Sequence, residues 1–339
     1  MKNLVVTRAP LRISFSGGGT DFEYFYKSYS GAVVSSAINR YVNVETSYHS
    51  RAFKEAFRIQ YSEVELVNSI SDIKNNIVRE SLNYCKNYWG AVDRLTIAIS
   101  SDVPSSSGLG SSSSLTCALV LNLARHFNLE LTPHEIADIA CIIELKVLHK
   151  TMGKQDAYAA AFGGINYIEF KESEIQVSKM DFSKIHKSLQ NRMLLVSSGE
   201  YRNAEDILKE QFNPNQDQIE ILLDMYEKTV NLKEDLESTQ FINSLELISQ
   251  NLIYQNELKK RISKNIYTKS VNETVEQIHR EFDVKATKVS GAGGGGFILC
   301  ILNEDIHPLE VSDSFITESD LICEKISVSQ SKCEVVYEI

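Results

Sequence analysis

The 339-residue sequence predicts an α+β fold in two domains. Strand-like and helix-like stretches are mixed without regular strand–helix–strand repetition, which argues against a doubly wound parallel sheet. The chain is long enough for a large core and for two domains. A charged, irregular stretch over 171–190 separates an N-terminal half from a mostly helical one, so the expected domains are 1–185 and 186–339. No internal repeat is present.

The elements follow in order. Val6, Leu11, Ile13 and Phe15 have strand spacing over 4–16, and Pro10 predicts an edge strand or two short ones. Gly17, Gly18 and Gly19 mark a sharp turn or backbone lying against a ligand, with Thr20 or Asp21 capping a short helix over 22–29. Strands over 32–38 and 41–48 read as a hairpin or meander, 51–70 as mixed strand and loop, and 73–89 as a helix. A strand over 95–99 leads into a small-residue loop and an apolar helix over 115–127. Thr132 and Pro133 start a helix that runs through Ile136, Ile139, Ile143 and Val147. A short alanine-rich helix follows, stopped by Gly163 and Gly164 before a strand over 165–170. Beyond 190 the pattern gives a strand over 193–197 and helices over 203–280 with a break at 213–215. Strands over 284–289 and 297–302 then flank a glycine loop, followed by a helix near 307–318 and terminal strands.

Composition narrows the function. The net charge of −10 argues against nucleic-acid or anionic-membrane partners, which need a basic surface, but not against a small anionic substrate. Cys85, Cys117, Cys141, Cys300, Cys323 and Cys333 form no CxxC pair, which predicts a reducing, cytoplasmic setting without structural zinc. The first residues carry charge too early for a signal peptide, and no run approaches the ~20 apolar residues of a membrane span.

Four constellations carry chemistry. Residues 104–114, Pro-Ser-Ser-Ser-Gly-Leu-Gly-Ser-Ser-Ser-Ser, lie between a strand and a helix. Glycines let backbone approach an anion, and the helix start offers unpaired N–H groups and a positive dipole end, so the loop suits phosphate better than it suits a flexible linker. No lysine follows its glycines, and the dinucleotide fingerprint is incomplete. Phosphate charge must then be offset by the helix end, a metal and cations from elsewhere. Glu144, alone, reads as a solvated helix face, and Asp156, alone, as a helix cap. Together they provide one carboxylate for magnesium and one for proton abstraction, the minimum for phosphoryl transfer to an alcohol. The stretch Arg8 to Asp21 and the loop 291–296, five glycines among six residues, complete the set. The latter exceeds a hairpin's needs and predicts close approach to a ligand or to the other loop.

These loops, in this order, resemble the GHMP kinase superfamily over nearly the whole chain, the 104–114 stretch most specifically. RAPLRISFSGGGTDF, GKQDAYAAAFGG and GAGGGGF look most like its bacterial D-glycero-D-manno-heptose 7-phosphate kinases. The resemblance implies a ribosomal-S5-domain-2-like N-terminal domain and a ferredoxin-like C-terminal domain. It implies ATP and Mg²⁺, with ATP held by Pro104, Ser105, Ser106, Ser107, Gly108, Leu109, Gly110, Ser111, Ser112 and Ser113, and the metal by Ser112 and Glu144. Asp156 would be the base and Arg12 the cation at the reacting oxygens. The acceptor would meet Arg12, Gly18, Gly19, Thr20, Asp21, Asp156, Gly163 and Gly293. The implied reaction is phosphorylation of O1 of a heptose 7-phosphate, and a homodimer is compatible with it. Galactokinase-like members have Gly-Glu-His where this chain has Gly17, Gly18 and Gly19, which leaves space for a larger C6 substituent. Arg202, with Lys154 behind it, is the expected cation for a phosphate there. Other readings of the chain are a kinase of fucose, galactose or mevalonate, a non-catalytic sensor, or a decarboxylase.

Overall fold

The computed structural model describes residues 3–90, 92–200, 214–238, 244–263, 265–305 and 313–339. Its first strand, β1 (Leu4–Ser16), runs unbroken through Pro10, contrary to expectation. The strand on one side pairs only as far as Arg8, and the ladder on the other slips register between Pro10 and Arg12. The missing N–H therefore falls where pairing is irregular. Neither Thr20 nor Asp21 caps α1 (Glu23–Tyr29), whose N-cap is Phe22. Thr20 Oγ1 instead bonds the carbonyls of Gly17 and Ala32. The expected hairpin over 32–48 is one 18-residue strand, β2 (Gly31–Tyr48). Both of its halves lie along β1, so non-local pairing overrides any local turn.

β3 (Phe57–Gln60), β4 (Val64–Val67) and α2 (Asn76–Tyr88) follow, the helix capped by Asn75. β5 (Leu95–Ser101) then delivers the chain to α3 (Ser111–His126), which is buried nearly all round, as its apolar sequence requires. α4 (Pro133–Cys141) starts on a complete Thr132–Glu135 capping box and passes into a π-helical turn, Ile142–Val147, where a continuous α-helix was expected. After α5 (Gln155–Phe162) and β6 (Ile165–Phe170), the stretch expected to be irregular forms β7 (Ile175–Lys179) and α6 (Phe182–Leu189).

The second half holds β8 (Met193–Ser197), α7 (Gln216–Ser238), α8 (Ser244–Ile262), α9 (Lys269–Glu281), β9 (Val284–Val289) and β10 (Phe297–Leu302). It ends in β11 (Ser314–Ile316), β12 (Ile322–Ile326) and β13 (Glu334–Glu338). The helix expected near 307–318 lies partly outside the described residues, and its described part contains β11, which pairs with β12.

Two sheets result. The first has the order β13-β1-β2-β5-β3-β4, with β6 and then β7 against the other half of β2. The second has the order β11-β12-β8-β10-β9. Among the described residues the ladders are antiparallel except β3 with β5, the α+β arrangement the sequence predicts. The last strand, β13, belongs to the first sheet although it lies within the expected second domain. One buried cluster joins Leu11, Ile13, Phe15 and Val34 of the first sheet to Leu195 and Leu299 of the second and to Leu236 and Leu252 of α7 and α8. Burying such a side chain contributes about 1.5–3 kcal/mol, so the halves are fixed against each other through their common core.

Candidate active site

The loop after β5 turns through Gly108 and Gly110, both at φ +78°, the left-handed region that favours glycine. Gly110 is the N-cap of α3, so the amides of Ser111, Ser112 and Ser113 open the helix toward a cleft of about 500 Å³. The glycine loop 291–296 stacks on the back of this loop. A Cβ on Gly291 would lie 2.8 Å from Gly108 Cα, and Phe297 N donates to Ser107 O at 3.1 Å. The glycines therefore serve loop-to-loop contact. Gly293 packs on Ile266, where a Cβ would meet Cγ2 at 2.5 Å.

Most of the expected residues converge on the cleft: Arg12, Gly18, Gly19, Asp21, Ser105, Ser106, Gly108, Gly110, Ser111, Ser112, Ser113 and Asp156 line it. Ser107 and Leu109 are fully buried beneath the loop, and Leu109 O accepts from Arg12 N. Pro104, Thr20, Gly163 and Gly293 do not line the cleft. Gly163 ends α5, where a Cβ would strike Ser331 O at 1.9 Å. Arg202 lies outside the described residues. Lys154 lies over the Tyr26 ring in a different cavity, beside Asp138 and Tyr158.

Arg12 and Asp156 form a bidentate pair, Nε to Oδ1 at 2.7 Å and Nη2 to Oδ2 at 2.8 Å. The guanidinium also donates through Nη1 to Gly108 O at 2.7 Å, tying the carboxylate to the loop before α3. Glu144, within the π turn, is fully buried under the start of α3. Ser112 Oγ donates to its Oε1 at 2.5 Å and Ser113 Oγ to its Oε2 at 2.7 Å. Lys150 Nζ, which the sequence did not single out, sits 2.5 Å from Ser112 Oγ and 2.9 Å from Glu144 Oε1. This hard-oxygen pair accommodates a cation, so it fits magnesium, which takes one or two carboxylates plus phosphate oxygens.

Asp21 is buried, and its carboxylate accepts from Gly19 N at 3.1 Å and Gln155 N at 3.0 Å. Burial pushes its pKa up against the Gln155 amide, and nearby Asp156 adds to the rise. Gly153 is the residue that permits this packing, since a Cβ there would lie 1.9 Å from Asp21 Oδ2. Gln155 Oε1 is buried without a hydrogen-bond partner, and the residue lines the cleft. From α8, Lys259 enters the same wall. Burial, reinforced by Arg12, lowers its pKa to about 8. Gln155 was hidden beside the more conspicuous Asp156, and Lys259 within a charged stretch that reads as a solvated helix face.

Residues 76–164 match the family described as GHMP kinases N terminal domain, and the described chain has the mixed helix-and-sheet fold of solved GHMP kinase structures. Among individual proteins, the chain is similar to the D-glycero-alpha-D-manno-heptose 7-phosphate kinase of Campylobacter jejuni subsp. jejuni serotype O:2. The two are 28% identical over 301 residues, which is 86% of this chain and 87% of that one. It is also similar to the mevalonate kinase of Saccharolobus solfataricus, 24% identical over 90% of this chain and 92% of that one. The crystal structure of a D-glycero-D-manno-heptose 1-phosphate kinase from Bacteriodes thetaiotaomicron superposes with a TM-score of 0.71. It is 23% identical and covers 95% of this chain and 98% of that one.

Proposed function

We propose that the protein is an ATP-dependent sugar kinase that transfers the γ-phosphoryl to the anomeric O1 of D-glycero-D-manno-heptose 7-phosphate, giving the 1,7-bisphosphate. The observation that carries the kinase reading is one cleft lined by the start of α3 and the Arg12–Asp156 pair, with Glu144 buried directly beneath Ser112. The heptose reading rests on similarity to proteins named for phosphorylated heptoses, and on three adjacent glycines where a bulkier acceptor needs room.

In this reading the α3 amides and the loop Ser105–Ser113 bind the ATP phosphates. The apolar side of the cleft, Val42, Ile77, Ile99, Val103 and Leu115, takes the base. Ser112 and Glu144 would hold Mg²⁺, which supplies charge compensation for the phosphates when bound. Asp156, oriented by both arms of its Arg12 clamp, accepts or positions the proton of the O1 hydroxyl. Arg12 faces the charge that develops between donor and acceptor. Asp21 and the unpaired Gln155 Oε1 take sugar hydroxyls. The division into 1–185 and 186–339 belongs to the same proposal, with β13 returning across it.

The test is ADP release over a panel of heptose phosphates, free sugars and mevalonate, with CO₂ release monitored. ADP formed with phosphorylated heptose in preference to the rest supports the proposal. Preference for mevalonate or galactose assigns another acceptor, CO₂ with ADP assigns a decarboxylase, and no ADP with any compound favours a sensor.

A further inference from the structure

Two buried lysine side chains at or behind the cleft have no carboxylate ion pair among the described residues. Lys259 is 8% exposed and donates from Nζ to Gly291 O at 2.9 Å. Lys288, on β9 and 3% exposed, donates from Nζ to Ser14 O. An uncompensated buried charge is costly, and an anion delivered by a ligand removes that cost. Lys288 lines only a narrow recess behind the cleft, together with Arg12 and Lys259. Lys259 lines both the recess and the open cleft. It faces Gly18, where a Cβ would stand 3.8 Å from Nζ. The wall that lacks side chains thus carries a cation. The ATP phosphates have their own partners, the α3 amides and Lys150 beside Ser112.

We propose that Lys259 binds a phosphate ester carried by the acceptor, across the gap left by Gly18 and Gly19, and so selects phosphorylated acceptors. This rests on the reading of the protein as a sugar-phosphate kinase. Lysine suits the role as a compact point charge for phosphate.

The test is Lys259→Met in the full chain, close in volume and uncharged, beside Lys259→Arg. Steady-state rates are compared for the heptose 7-phosphate and the same heptose without phosphate. Lys259→Met is expected to lose about 30-fold or more in kcat/KM on the phosphorylated acceptor, chiefly through KM. The preference over the free sugar should collapse, and Lys259→Arg should keep much of it. Equal losses on both acceptors, or a fall confined to kcat, would overturn the proposal and place Lys259 at the transferred phosphoryl. A second arm does not depend on which sugar is used. Calorimetry measures inorganic phosphate binding to the protein saturated with a non-hydrolysable ATP analogue. Binding by wild type that Lys259→Met abolishes supports the assignment even if neither heptose is turned over, in which case the substrate reading alone fails. Equal binding by both proteins, or none by wild type, overturns it.

Discussion

At the residue scale the proposed chemistry rests on Asp156, whose two oxygens are held by one guanidinium that also bonds Gly108 in the loop before α3. Asp156→Asn is expected to lower turnover about a thousand-fold, while the dissociation constant of an ATP analogue stays within a few-fold. Turnover retained in that variant would remove Asp156 from its role. Gly153→Ala places a methyl group against Asp21 and should cost about 2 kcal/mol in urea unfolding, with weaker acceptor binding. Lys259 gives a pH signature. Its native pKa of about 8 lies below the unfolded 10.5, so between these values the unfolded chain binds more protons and native stability rises with pH. The deficit of ligand-free wild type relative to Lys259→Met in thermal unfolding should therefore shrink from pH 8 to pH 10.5. A deficit independent of pH would mean that Lys259 does not titrate as its burial beside Arg12 requires.

At the scale of elements, the start of α3 and the π turn after α4 work as one unit. Glu144, which alone reads as a solvated helix face, lies in the π turn under Ser112 and Ser113 and is bonded by both. Ser112→Ala should raise the magnesium concentration for half-maximal rate about tenfold, as loss of a ligand or its support does, with thermal stability little changed. An unchanged magnesium requirement would contradict the pairing of Ser112 with Glu144 as the metal site. The α3 junction was legible because its determinants are local: a strand, a run of glycine and serine, then a helix. The start of α4 at Thr132 and Pro133 was legible for the same reason. The π turn was not, because the apolar spacing of Ile139, Ile143 and Val147 fits a plain α-helix equally well.

At the scale of the molecule, the cleft exists because two sheets share one core. Lys259 reaches the site from α8, more than a hundred residues beyond Asp156, and Gly291 reaches it from the second sheet. Such convergence leaves no periodic trace in a sequence. The same holds for β2, which runs straight where two strands were expected, and for β13, which returns to the first sheet. In each, pairing with distant residues decides the outcome. The fold class and most of the cleft lining were nonetheless readable, because glycine and serine at fixed loop positions state their requirements locally. The glycines of 291–296 were read correctly as a close-approach loop, and they meet the loop before α3. The six cysteines are free and buried.

The central claim, phosphoryl transfer from ATP to O1 of a phosphorylated heptose, is tested most directly by phosphorus NMR of the reaction with ATP, Mg²⁺ and D-glycero-D-manno-heptose 7-phosphate. The account predicts equimolar ADP and a new phosphate signal coupled to the anomeric proton, with the original 7-phosphate signal retained. No new sugar phosphate, or a new signal coupled to any other sugar proton, would contradict it.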